Sequence, residues 1–135
     1  MNAADNGADN GARIGIVLVD DAVELRSMLR MLLERNPRIT VIGEAGDVPS
    51  AEAVIADRCP DVVVVDLAMP GGGALEMISR LRANHPTVAL LVLSGYPAAT
   101  TAERCLIAGA DVYLEKGTPV AELTATVLRV AEERP

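Results

Sequence analysis

Aromatic side chains are nearly absent from these 135 residues: there are two tyrosines, Tyr96 and Tyr113, and no phenylalanine or tryptophan. Proteins that bind single-stranded nucleic acid depend on stacking platforms and a basic surface. Two rings and a formal net charge of −7 argue against direct nucleic-acid binding by this chain. Cysteine is equally scarce. Cys59 and Cys105, with the single histidine His85, supply neither a Cys-x-x-Cys pair nor a Cys/His metal cluster. A small extracellular domain would carry more disulfide-forming pairs, so both thiols are expected to be buried in a reducing compartment. No apolar run approaches the roughly 18 residues of a membrane span. The N-terminus is polar and acidic where a secretory signal is basic and then apolar. A cytoplasmic location is therefore expected.

What is abundant is aliphatic: half of the residues are hydrophobic, and they are almost all Ala, Val, Leu and Ile. The length suits one domain with its own core. Residues 1–12 contain Ala-Asp-Asn-Gly twice, at Ala4–Gly7 and Ala8–Gly11, and offer nothing to a core. They are expected to form a disordered tail ahead of a single domain over 13–135. Ile14 to Val19 is a short β-branched run stopped by two acids, the pattern of a buried strand. Leu25, Leu29, Leu32 and Leu33 then recur at helical spacing until Asn36-Pro37 ends the pattern.

The alternation repeats four times. Strands are expected at Ile39 to Gly43, Val62 to Val65, Val88 to Leu93 and Val112 to Leu114. A helix from about Ser50, taken as its N-cap, carries Val54 and Ile55, and the next carries Leu75, Ile78 and Leu81. The fourth presents Ala102, Cys105, Leu106 and Gly109 on one face, and the last presents Val120, Leu123, Val127 and Val130. Met69 and Met77 are expected to pack in the core. Five strand–helix units in so short a chain predict an α/β fold, a doubly wound five-stranded parallel sheet. Nearly uninterrupted apolar strands agree, because a sheet covered on both faces has no polar side.

In such sheets ligands gather beyond the carboxyl ends of the strands. Here the first strand ends in Asp20-Asp21, the third in Asp66 and the fourth in Ser94, and the fifth leads through Glu115 to Lys116. With strand order 2-1-3-4-5, the first and third strands are neighbours and three carboxylates meet at one edge. Clustered carboxylates repel unless a positive charge sits among them. A hard divalent cation such as Mg²⁺ suits oxygen ligands of this kind. The fifth strand lies about 10 Å from the third, within reach of an extended lysine, so Lys116 can point its ammonium at Asp66. A carboxylate can act as a nucleophile toward a phosphoryl donor, given a metal and a cation to absorb the phosphoryl charge. The Ser94 hydroxyl can donate a hydrogen bond to the same group.

These residues resemble the receiver domains of bacterial two-component response regulators, whose fold is flavodoxin-like, or CheY-like, (βα)5. The resemblance spans roughly Arg13 to Arg134. Val19-Asp20-Asp21 is similar to the family's acidic pair, and Asp66-Leu67-Ala68-Met69-Pro70-Gly71 to its phospho-acceptor segment. Leu93-Ser94-Gly95 matches the strand-four Ser/Thr position, and Ala108-Gly109-Ala110-Asp111-Val112-Tyr113-Leu114-Glu115-Lys116 the stretch carrying the switch aromatic and the lysine. Val41-Ile42-Gly43-Glu44-Ala45 resembles the subgroup with a LuxR-type helix-turn-helix output domain.

The resemblance implies that Asp66 accepts a phosphoryl group from a sensor histidine kinase. It implies that Mg²⁺ is held by Asp21, Asp66 and the backbone carbonyl of Ala68, with Asp20 acting through water. Ser94 and Lys116 would contact the phosphoryl group, and Tyr113 would turn inward as Ser94 moves. Output would be a changed surface on helix four, strand five and helix five, with homodimerisation on phosphorylation. DNA would be reached only through a C-terminal domain absent from this chain. Three features depart from the pattern: Gly72-Gly73-Ala74 stands where an Asp-Gly commonly precedes the Leu-Glu pair, Gly117 follows the lysine where many members have proline, and Ala68 and Tyr96 occupy positions that tune dephosphorylation. Two other readings stay open, a stand-alone or pseudo-receiver interaction module and an aspartate-nucleophile phosphatase.

Overall fold

The computed structural model describes residues 12–134, so the tail expected over 1–12 lies, Ala12 apart, outside the described residues. Five strands alternate with five helices: β1 Ile14–Val19, α1 Val23–Leu33, β2 Ile39–Ala45, α2 Val48–Arg58 and β3 Val62–Val65, then α3 Ala74–Asn84, β4 Ala89–Ser94, α4 Ala98–Ala108, β5 Val112–Glu115 and α5 Val120–Glu133. All pairings are parallel and the sheet order is β2-β1-β3-β4-β5, the flavodoxin-like, CheY-like arrangement. The order reverses between β1 and β3, which is where such sheets open a crevice at their carboxyl ends. No helix among the described residues is long and apolar enough to cross a membrane.

Successive strand residues feed two separate cores, as the period of two requires. Val17, Val19, Val63, Val65, Leu90 and Val92 face α2, α3 and α4 through Ile55, Met77, Ile78, Leu81 and Cys105. Ile16, Leu18, Val62, Val64, Leu91 and Leu93 face α1 and α5 through Leu29, Leu33, Leu123, Val127 and Val130. Branched aliphatics fill both layers, so the core uses neither tyrosine as a fully buried ring; Met69 and Met77 pack as expected. At Gly43 a Cβ would lie 2.7 Å from Val54 Cγ2 of α2, so a larger residue there would force that side chain to shift.

Four expectations need correcting. The second strand runs on to Ala45, because Glu44 and Ala45 continue the ladder opposite Leu18 and Val19 after an irregularity between Ile16 and Val17. The cap of α2 is Asp47, whose carboxylate accepts from the Ser50 amide at 2.9 Å, with Pro49 in the first turn. Cys59 is exposed, because it terminates α2 in the left-handed region at φ 49°, a turn that carries its side chain away from the core. On α4 the buried residues are Thr101 and Cys105, while Leu106 is exposed and so is its neighbour Ile107.

Candidate functional site

Val19 and Val65 are register partners in adjacent strands. The residues that follow them, Asp20 and Asp66, therefore leave the sheet side by side, and the Asp66 amide donates to the Val19 carbonyl at 2.9 Å. Carboxylate oxygens of Asp20, Asp21 and Asp66 all lie within 4.8 Å of one another. Asp20 and Asp66 are buried, whereas Asp21 is exposed at the rim. Leu18, Leu29, Val64 and Leu93 form an apolar floor beneath the two buried acids.

Lys116 reaches this edge from the end of β5. Its Nζ lies 3.2 Å from Asp66 Oδ2 and 3.2 Å from Asp20 Oδ2, so one ammonium bridges both buried carboxylates. The other oxygens are held by backbone: Ala68 N–H donates to Asp66 Oδ1 at 3.3 Å, and Ala22 N–H donates to Asp20 Oδ1 at 2.9 Å. Burial pushes the Asp66 carboxyl above the usual carboxylate range; the Ala68 amide and Lys116 pull it back, and the Asp20 charge adds to the rise. For Lys116, burial by itself lowers the ammonium, but hydrogen bonds and charge from Asp66 and Asp20 outweigh it and leave the group above its ordinary value.

The donor set fits a hard divalent cation. Three carboxylates converge from two strand ends, one of them exposed to solvent, and the single ammonium balances only part of their charge. The acidic cluster could hold such an ion.

Ser94 ends β4, is fully buried, and accepts a hydrogen bond on its Oγ from the Tyr96 amide at 3.1 Å. Its carbonyl takes the Lys116 amide at 2.7 Å, which ties the β4 end to the lysine's own backbone. Tyr113, half-buried on β5, donates its phenol to the Tyr96 carbonyl at 2.6 Å. The Tyr96 backbone is thus held at its amide by Ser94 and at its carbonyl by Tyr113. Glu115 accepts from the Ala98 amide at 2.7 Å, capping the first turn of α4 where the N-cap, Pro97, offers no side chain to do so.

Asp20, Asp21, Asp66, Ser94 and Lys116 therefore lie together at one edge of the sheet. Ala68 meets Asp66 through its amide, while the expected role was for its carbonyl. The acceptor loop, where Gly72-Gly73-Ala74 departs from the pattern, takes positive φ at Gly71, Gly72 and Gly73, a path closed to β-branched or bulky residues. Sequence reasoning missed Arg26 and Glu44. Arg26 donates through Nε to Glu44 Oε1 at 3.0 Å and through Nη1 to the Asp20 carbonyl. The signal available was an arginine one turn into a helix that begins at the acidic pair.

A family model described as response regulator receiver domain matches residues 16–128. The chain is 33% identical over 121 residues to the DNA-binding transcriptional activator DevR/DosR of Mycobacterium tuberculosis, covering 90% of this chain and 56% of that protein. It is 31% identical over 128 residues to the photosynthetic apparatus regulatory protein RegA of Rhodobacter capsulatus, covering 95% and 68% respectively. Among solved structures it is similar to a two-component response regulator of the LuxR family from Aurantimonas sp., with 31% identity and a TM-score of 0.86 over 91% of this chain and 88% of that one. The chain spans little more than half the length of DevR/DosR.

Proposed function

The chain belongs to the response regulator receiver family, and on that premise we propose that Asp66 accepts a phosphoryl group from a phosphohistidine on a sensor histidine kinase. One observation carries the reading: a single ammonium, Lys116, bridges two buried carboxylates at 3.2 Å within an acidic triad at the carboxyl edge of the sheet. In the transfer an Asp66 oxygen attacks phosphorus, the P–N bond to the imidazole breaks, and an acyl phosphate remains on Asp66. Asp21, Asp66 and the Ala68 carbonyl would hold Mg²⁺, with Asp20 contributing through water. The ion's role there is to neutralise charge on the phosphoryl oxygens.

The chain's own residues do the rest. Lys116 is already placed to follow the charge from the Asp66 carboxylate onto the phosphoryl group. Ser94 exchanges its bond with the Tyr96 amide for one donated to a phosphoryl oxygen. That exchange loosens the Tyr96 peptide, to which the Tyr113 phenol is also attached, and Glu115 transmits the shift to the first turn of α4. The added charge of roughly −2 favours whichever arrangement brings Ser94 and Lys116 to it. Output is a changed α4–β5–α5 face, which a second receiver would meet on phosphorylation. The LuxR-family likeness supports a cytoplasmic transcriptional role, with DNA bound by a LuxR-type output domain and not by this chain.

A small acyl phosphate with Mg²⁺, followed by intact-mass measurement, tests the reading. The parent chain is expected to gain one phosphoryl group and Asp66→Ala none. A chain that gains nothing is an interaction module of the same fold, a pseudo-receiver. Steady turnover of generic phosphoesters would indicate a phosphatase, but the position two residues after Asp66 is Ala68, which has no side chain able to protonate a leaving group.

A further inference from the structure

The turn that carries the acidic pair has one local bond, from the Ala22 N–H to Asp20 Oδ1 at 2.9 Å. α1 begins after Ala22, whose side chain makes no capping bond, so the Asp20–Asp21 peptide cannot be fixed by the helix cap. Its neighbours fix it instead. The Asp20 amide donates to the Ala45 carbonyl at 3.0 Å, and the Asp20 carbonyl, beyond the end of the β1 ladder, accepts from Arg26 Nη1. Arg26 is itself held by Glu44 Oε1 at 3.0 Å, with side chains only 15% and 23% exposed. The guanidinium fits because Gly46 leaves room: a Cβ there would lie 3.3 Å from Arg26 Nη1 and 3.7 Å from Asp21 Cα.

We infer that Arg26, braced by Glu44, is a positioning residue that sets the Asp20–Asp21 turn so that the exposed Asp21 carboxylate converges on Asp66. This rests on the divalent-cation site proposed above. With the Asp20 carbonyl released, the peptide can rotate and carry Asp21 off the rim. Groups that orient metal ligands through hydrogen bonds typically change metal affinity by about 10–100-fold when removed. The electrostatic effect of the same substitution has the opposite sign, since deleting a cation near an acidic site tightens cation binding. A loss of affinity therefore reports positioning.

Arg30 is the matched control. It also binds Glu44, at 2.7 Å, and donates to the Val41 carbonyl at 3.1 Å, but its recorded bonds do not reach Asp20. The measurement is Mg²⁺ affinity of the full chain by titration calorimetry, for the parent, Arg26→Ala, Arg26→Lys and Arg30→Ala, with far-UV circular dichroism to establish folding. Both Arg26 variants are expected to bind Mg²⁺ about tenfold more weakly, because lysine keeps the charge beside Glu44 but lacks the planar fork that reaches Glu44 and the Asp20 carbonyl together. Arg30→Ala is expected to stay within about twofold of the parent, since it touches no ligand turn. Parent-like binding by the folded Arg26 variants, or an equal loss in Arg30→Ala, overturns the inference. A parent chain that binds no Mg²⁺ overturns the cation site itself.

Discussion

Lys116 makes the site's central electrostatic contact, and Lys116→Met removes its charge while keeping most of its stem. The ammonium lies 3.2 Å from a carboxylate oxygen on each of two acids whose side chains are 7% and 4% exposed. At that separation and an effective dielectric near 20, each attraction is about 5 kcal/mol before desolvation. The lysine side chain is one-third exposed, so solvent screening and its own desolvation reduce the sum to roughly 2–3 kcal/mol. In the absence of divalent cations the variant should be destabilised by that amount. Mg²⁺ should then restore more stability to the variant than to the parent, because the lost ammonium no longer repels it. A monovalent and a divalent charge about 5 Å apart repel by about 1.5 kcal/mol even in water-like surroundings, which corresponds to Mg²⁺ binding roughly tenfold tighter. At equal saturating Mg²⁺ the extra stabilisation is about 1.4 kcal/mol. Urea unfolding followed by far-UV circular dichroism, with and without Mg²⁺, measures both quantities, as the chain has no tryptophan to report on unfolding. Parent-like stability without Mg²⁺, or an equal Mg²⁺ increment in both proteins, refutes the bridging role.

Because burial raises the Asp66 carboxyl above its ordinary value, its favourable contribution is fully present below the unfolded pKa near 4 and is lost as pH rises through the higher folded value. Asp66→Asn should thus be more stable than the parent by about 1 kcal/mol at pH 7, and the gap should close as pH falls toward 4; a gap that widens in acid contradicts this. At the opposite end of the sheet, Asp111 accepts from the Leu90 amide at 2.8 Å and from Arg82 Nη2 at 2.7 Å. Asp111→Ala leaves a backbone amide and a half-buried guanidinium without that partner and should destabilise by about 3 kcal/mol in the same unfolding assay; less than about 1 kcal/mol would show that water replaces the carboxylate. A thiol reagent should modify exposed Cys59 in the native chain and Cys105 only on unfolding, since Cys105 is buried and its thiol is raised by that burial. Equal native rates would place Cys105 at the surface.

The charged edge was legible in the sequence because parallel sheets convert a local feature into a spatial one. An apolar run that stops at a polar residue marks a carboxyl end, and five such ends fall on one edge, so Asp20, Asp66, Ser94 and Lys116 could be gathered without knowing any side-chain contact. What sequence obscured depends on competition between equivalent residue types or on reach across elements. Asp47 and Ser50 are both good N-caps; Pro49, favoured in the first helical turn, decides for Asp47. Ala102, Cys105, Leu106 and Gly109 suggest a broad face on α4, but the helix buries a stripe only as wide as Thr101 and Cys105, which leaves Leu106 outside. Arg26 lies within the same helical pattern as its exposed neighbours, and no periodicity reveals that its guanidinium turns back to Glu44 and Asp20. The scarcity of aromatics belongs to the legible part, for a physical reason. Two layers of Val, Ile and Leu fill the core, so Tyr96 is left in the β4–α4 loop and Tyr113, half-buried on β5, packs only against the edge of one layer, joined to Tyr96 through its phenol. A ring held by one hydrogen bond and packed on one side at a half-buried surface can change position at lower cost than one enclosed in a core.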